Sequence, residues 1–156
     1  MSDVYLYRLR KVLGEHDAAR EAVALIGRKW NRQGFGDSLN GVSETMLEEA
    51  ARNLERTYFL RLYAEFEGIL KDHLVSNHPA QAFAEEDRPR VDEVIARIRQ
   101  VENLTVNPRL RDKLDAARDY RNSIAHSRRA PVPQVSLADC QAALGRLVDR
   151  LPDPRD

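Results

Sequence analysis

Residues 107–133 read NPRLRDKLDAARDYRNSIAHSRRAPVP. Asn107 followed by Pro108 marks a helix start: an Asn side chain accepts from an N–H of the first turn, and the fixed φ of proline suits the first helical position. At about 100° per residue, Leu110, Leu114, Ala117, Ile124 and Ala125 fall within one arc, the stripe of an amphipathic helix. RAPVP (129–133) cannot continue it. Toward the C-terminus, Ser136 with Asp139 opens a further helix whose stripe is Leu137, Cys140, Leu144, Leu147 and Leu151. Toward the N-terminus the spacing predicts a third helix from near Asp87, with Pro89 in its first turn and Val91, Val94, Ile95, Ile98 and Val101 as its stripe. The second helix starts at Ser43 or Thr45, Thr45 with Glu48 forming a capping box, and runs to about Ser76. That length invites a bend, and Pro79 interrupts it. The first covers about Asp3 to Trp30, with Leu9, Val12, Ala19, Val23, Ile26 and Trp30 on one side, and the glycine-rich RQGFGDSLNG (32–41) follows as a loop. No alternating strand pattern interrupts this series. The expectation is an all-α antiparallel bundle of four to five helices, a single domain over residues 1–156.

Composition agrees. The chain of 156 residues is 42% hydrophobic, 6% aromatic and 32% charged, with seven glycines and seven prolines, too few for a turn-rich sandwich or barrel. Formal net charge is zero, so a polyanion site must come from local clustering. One such cluster exists: between Arg111 and Ala130, six basic residues face three acidic ones. The single cysteine, Cys140, sits in a helical stripe and reads as a buried core thiol in a reducing compartment. The opening MSDVYLYRLRKV lacks the apolar run of a signal peptide, and no segment approaches a membrane span, so a cytoplasmic protein without membrane partners is expected.

The local inconsistency lies in the fourth helix, where Arg121 falls near the middle of the apolar arc. A guanidinium there is costly unless it is paired or faces a cleft. Asn122 and His126 stack four residues apart on a neighbouring face. Here the chain resembles the HEPN family of helical bundles, in which an Arg is followed directly by a polar residue and, four to six residues beyond the Arg, by a His near the end of a late helix. Arg121-Asn122-Ser123-Ile124-Ala125-His126 matches that pattern, and YAEFEGILKDHL (63–74), with Glu67 after Phe66, is similar to the family's earlier long helix. A second Arg-to-His spacing, Arg10 to His16, lies mid-helix and reads as a packing histidine.

The resemblance implies a metal-independent endoribonuclease, a toxin or defence effector, with Arg121, Asn122 and His126 as catalytic residues and no cofactor. It also implies a homodimer meeting along the fourth helices, so that two motifs face one cleft. The chemistry suits these residue types. The RNA 2′-hydroxyl attacks the adjacent phosphate if a base takes its proton, an acid serves the leaving oxygen and positive charge steadies the phosphorane. His titrates near neutrality, and the arginine fork fits two phosphate oxygens. Arg118, Arg128 and Arg129 are candidates to hold the RNA backbone, and Glu67 to support Arg121. Three alternatives stand beside this: an ion pair of Arg121 with Glu65 or Glu67 while His126 caps the helix; a non-catalytic HEPN-like scaffold binding a nucleotide or a partner protein; and a toxin masked by an antitoxin or inhibitor chain. His73 and His78 lie five apart but show no third metal ligand at useful spacing, so no metal is expected.

Overall fold

A computed structural model describes residues 3–33, 43–84, 86–126 and 132–154, and of residues 30–33 the backbone only. The glycine-rich stretch 34–41, the Trp30 side chain, Arg128 and Arg129 lie outside these. The described residues form an all-α bundle without strands. Its helices are α1 (Asp3–Gln33), α2 (Glu44–Asn77), α3 (Val91–Val101), α4 (Pro108–Ala125) and α5 (Leu137–Val148), with a 3₁₀ turn at Pro79–Gln81. No helix among the described residues is long and apolar enough to cross a membrane.

The caps explain most boundaries. The Asn107 side chain accepts from the Leu110 N–H at 2.8 Å, and Ser136 Oγ accepts from the Asp139 N–H at 3.0 Å. Ser43 caps α2 through the Met46 N–H, so Thr45 lies inside the helix rather than at its cap. The third helix starts later than expected, at Val91. The Arg90 N–H donates to the Glu93 carboxylate at 2.8 Å, which leaves Pro89 and Arg88 in the preceding connection. α2 runs unbroken for 34 residues, about 50 Å at 1.5 Å per residue.

α2 is the axis of the bundle and packs against each of the other helices. Phe59, Leu62, Phe66 and Leu70 are buried as their stripe requires, and Tyr63, Ile69, His73 and Leu74 bury a second side because neighbours surround the helix. α1 runs antiparallel to it. Arg8 reaches Glu65 and Asp72, Arg61 pairs with Glu15, and the His16 ring stands edge-on to Tyr58 at 5.4 Å. His16 is buried, as a packing histidine should be.

α3, α4 and α5 have only 11, 18 and 12 residues. All three cover the C-terminal half of α2, and α5 also covers the N-terminal half of α1; the other halves of the two long helices run on beyond them. This is why the α1 stripe is only half used: Leu9 and Val12 are in the core, whereas Ile26 is 40% exposed. The α5 stripe is buried in full, including Cys140, whose thiol is pushed up to about 12 by burial alone, which keeps it protonated and unreactive.

Candidate functional site

α4 is held against α2 by Tyr120, whose ring meets Phe59 edge-on at 4.8 Å and 88°. That contact turns the next residue, Arg121, toward the α2 face carrying Tyr63 and Glu67. The Arg121 guanidinium carbon lies 5.9 Å from the centre of the Tyr63 ring. Its NH1 donates to the Asn122 side-chain oxygen at 3.2 Å, and its NH2 is 4.0 Å from the Glu67 carboxylate. The side chain is 34% exposed, neither sunk in the core nor free in solvent. Glu65, the other candidate partner, is engaged by Arg8 on the α1 side.

Arg121 and Asn122 line a cleft of about 240 Å³ that also takes in Tyr63, Glu67, Asp92, Arg118 and the Arg88–Val91 connection. Four arginines (Arg88, Arg90, Arg118 and Arg121) thus share it with two carboxylates. Arg118 is already engaged, by Asp115 at 3.0 Å and Asp119 at 3.2 Å, whereas Arg121 meets its carboxylate only at 4.0 Å. Burial holds the Tyr63 hydroxyl well above the ordinary tyrosine range, and Glu67 adds to it against Arg118 and Arg121. That ring is therefore a neutral wall. Next to the cleft, and sharing Tyr63, Val91, Asp92 and Arg118 with it, a pocket of about 160 Å³ runs between α3 and α4 over Ile95, Ala96, Val106 and Leu114.

His126 is the C-cap of α4. Its backbone N–H donates to the Asn122 carbonyl, its side chain is exposed, and it is not among the residues lining the cleft. The fold therefore brings Arg121, Asn122, Arg118 and Glu67 together, leaves His126 at the helix end beside them, and adds Arg88 and Arg90, which sequence reasoning did not single out. Their only local signal was two arginines flanking Pro89. Arg128 and Arg129 are outside the described residues.

A second polar cluster lies at the far end of α2. His73 and His78 each place Nε2 2.6 Å from the same oxygen, Oε1 of Glu102, at the end of α3. Glu102 is the third donor that spacing along the chain did not supply. His73 is wholly buried, while the side chains of His78 and Glu102 are 19% and 15% exposed. Burial lowers the His73 pKa, with the Glu102 hydrogen bond only partly opposing it. Burial works upward on Glu102, but hydrogen bonds from His78 and His73 outweigh it and hold the carboxyl below its usual range. The cluster is thus two imidazoles around a carboxylate.

Compared with known proteins, the chain matches no family model, no curated protein and no solved structure.

Proposed function

We propose that the chain is a metal-independent endoribonuclease of the HEPN kind, acting at the end of α4. One observation carries this reading: the half-buried guanidinium of Arg121, held by Asn122 and Tyr63 yet 4.0 Å from its nearest carboxylate, in a cleft with three further arginines. A partly desolvated cation with a loose counterion gains when a phosphate, offering two oxygens to its fork, takes the place of water. The adjoining pocket between α3 and α4 supplies apolar walls for a base beside that phosphate.

In this mechanism Arg121 steadies the developing negative charge on the phosphorane, and Asn122 orients the guanidinium. His126, solvent-facing at the end of the same helix, takes the 2′-hydroxyl proton or returns one to the 5′-oxygen. One chain offers one such histidine, so two chains meeting along α4 would provide base and acid together. Products carry a 2′,3′-cyclic phosphate and a 5′-hydroxyl, and DNA survives because it lacks the attacking group.

The exclusion of His126 from the cleft lining favours a second reading, in which the cleft binds a nucleotide or a phosphorylated partner without cutting it. Purified protein and its His126→Ala variant, incubated with single-stranded and structured RNA in EDTA, separate the two. Cleavage to cyclic phosphate ends by the wild type alone is the expected outcome. RNA binding without cleavage, lost in an added Arg121→Ala variant, would leave the binding reading, and equal cleavage by wild type and His126→Ala would sink the assignment of His126.

A further inference from the structure

We propose that His73, His78 and Glu102 form a binding site for one divalent cation of the zinc type, which clamps the end of α2 to the end of α3. The site is separate from the α4 cleft and does not depend on the ribonuclease reading.

The donor set comes first. Two imidazole nitrogens and one carboxylate oxygen lie within 4.8 Å of one another, and both histidines present the same ring atom, Nε2. Neutral imidazole with carboxylate suits zinc and its neighbours among the divalent transition metals, whereas calcium and magnesium prefer oxygen alone. Bonds of about 2.0–2.1 Å at tetrahedral angles need donors about 3.3 Å apart. The two 2.6 Å separations would therefore widen by about 0.7 Å, through rotation of the Glu102 side chain and the His78 ring as the cation enters.

The supports come next. Metal-binding histidines almost always give their other ring nitrogen a hydrogen-bond partner that fixes the ring. His73 has one: its Nδ1 lies 3.0 Å from the side-chain amide of Asn77, one helical turn on and itself buried. With Nε2 on a cation, Nδ1 carries the proton and donates to the amide oxygen of Asn77, whose two ends are interchangeable by a flip. The Tyr5 ring stands edge-on to His73 at 6.1 Å and blocks it from the other side.

Both ends of the clamp are fixed by backbone. His78 is the C-cap of α2, its N–H bonded to the Leu74 carbonyl at 2.9 Å, which turns the ring back toward His73. Glu102 is the C-cap of α3. Asn103 follows in the left-handed region at φ 50, and the Leu104 N–H reaches back to the Arg99 carbonyl at 3.0 Å, the bond that closes a Schellman turn. Three groups that enter on two helices, 24 and 29 residues apart in sequence for the pairs that reach Glu102, thus meet at one point without any loop having to adapt. Low exposure of all three suits a clamp that leaves at most one position to water.

The test strips the full chain with a chelator, dialyses it, and titrates it with zinc against a chromophoric competitor. The wild type and His126→Ala should each take up one equivalent, and the double variant His78→Ala/Glu102→Gln none. Zinc at a hundredfold excess over its dissociation constant should raise the wild-type Tm by about 5–10 °C and leave the double variant unmoved. X-ray absorption on the zinc-loaded wild type needs no variant to fold. Two imidazoles and an oxygen at about 2.0–2.1 Å are expected. A shell without imidazole, or uptake equal in wild type and double variant, would overturn the proposal, as would a wild type that takes up no zinc.

Discussion

α2 and α4 end in the same way and arrive at opposite results. Each finishes on a histidine C-cap, His78 with φ −139 and ψ 57, His126 with φ −130 and ψ 82, and each cap N–H bonds the carbonyl four residues back. The backbone device is shared. At the end of α2, however, α3 returns and sets Glu102 2.6 Å from the ring, whereas at the end of α4 the His126 side chain stays exposed. A histidine at a helix end is thus tied down or left exposed by what the rest of the chain folds over it. One ring is tied to a carboxylate and committed to holding the bundle. The other side chain is exposed at the end of its helix.

The comparison breaks most visibly through His73→Ala. That change empties a wholly buried site, takes the imidazole from Asn77 and leaves Glu102 with only that of His78, and it should cost on the order of 3 kcal/mol in urea unfolding. A loss no larger than that of a surface substitution would mean that the α2 end is not the structural one. Phe59→Leu tests what aims the α4 end. It removes the edge-on contact with Tyr120 at some volume loss and should cost about 1–2 kcal/mol, with RNA binding at the cleft weakened by the altered seating of Arg121. The smallest effect on stability belongs to His126→Ala, which should stay within about 0.5 kcal/mol of wild type and, on the ribonuclease reading, abolish cleavage. If it unfolded the protein, its exposure would be the wrong guide to its role.

The sequence carried the helices through their punctuation. Asn107 and Ser136 each accept the first-turn N–H that their side chains suggested, α2 is capped by Ser43 and not by the Thr45–Glu48 box, and the stripes of α2 and α5 are buried. Periodicity alone did not say how far a stripe is used. Ile26 fits its pattern as well as Leu9 does, but the short helices that could cover it stop before reaching it. The candidate site divides along the same line. Arg121 was legible because a charge on an apolar arc is a local anomaly, whereas Asn122 and Glu67 were expected from the family resemblance, with Glu65 left open beside Glu67 as the partner of Arg121. Arg88 and Arg90 come to the cleft on a connection whose path depends on where α3 starts, four residues after Asp87. Glu102 was not singled out in the sequence, and only the packing of α3 on α2 turns it inward.

One feature of α2 sets a limit on how this protein can change. Glu67, facing Arg121, and His73, facing Glu102, stand six residues apart on one unbroken helix and so about 120° apart around it. Each angle is matched to a different neighbour. A single residue inserted between them would turn one group through about 100° relative to the other and lift it 1.5 Å, and no rotation of the whole helix could restore both. The interval from Glu67 to His73 is therefore a fixed phase. Within it a substitution costs only what its own side chain contributes, heavily at the buried Ile69 and Leu70, but an insertion or deletion breaks the phase itself.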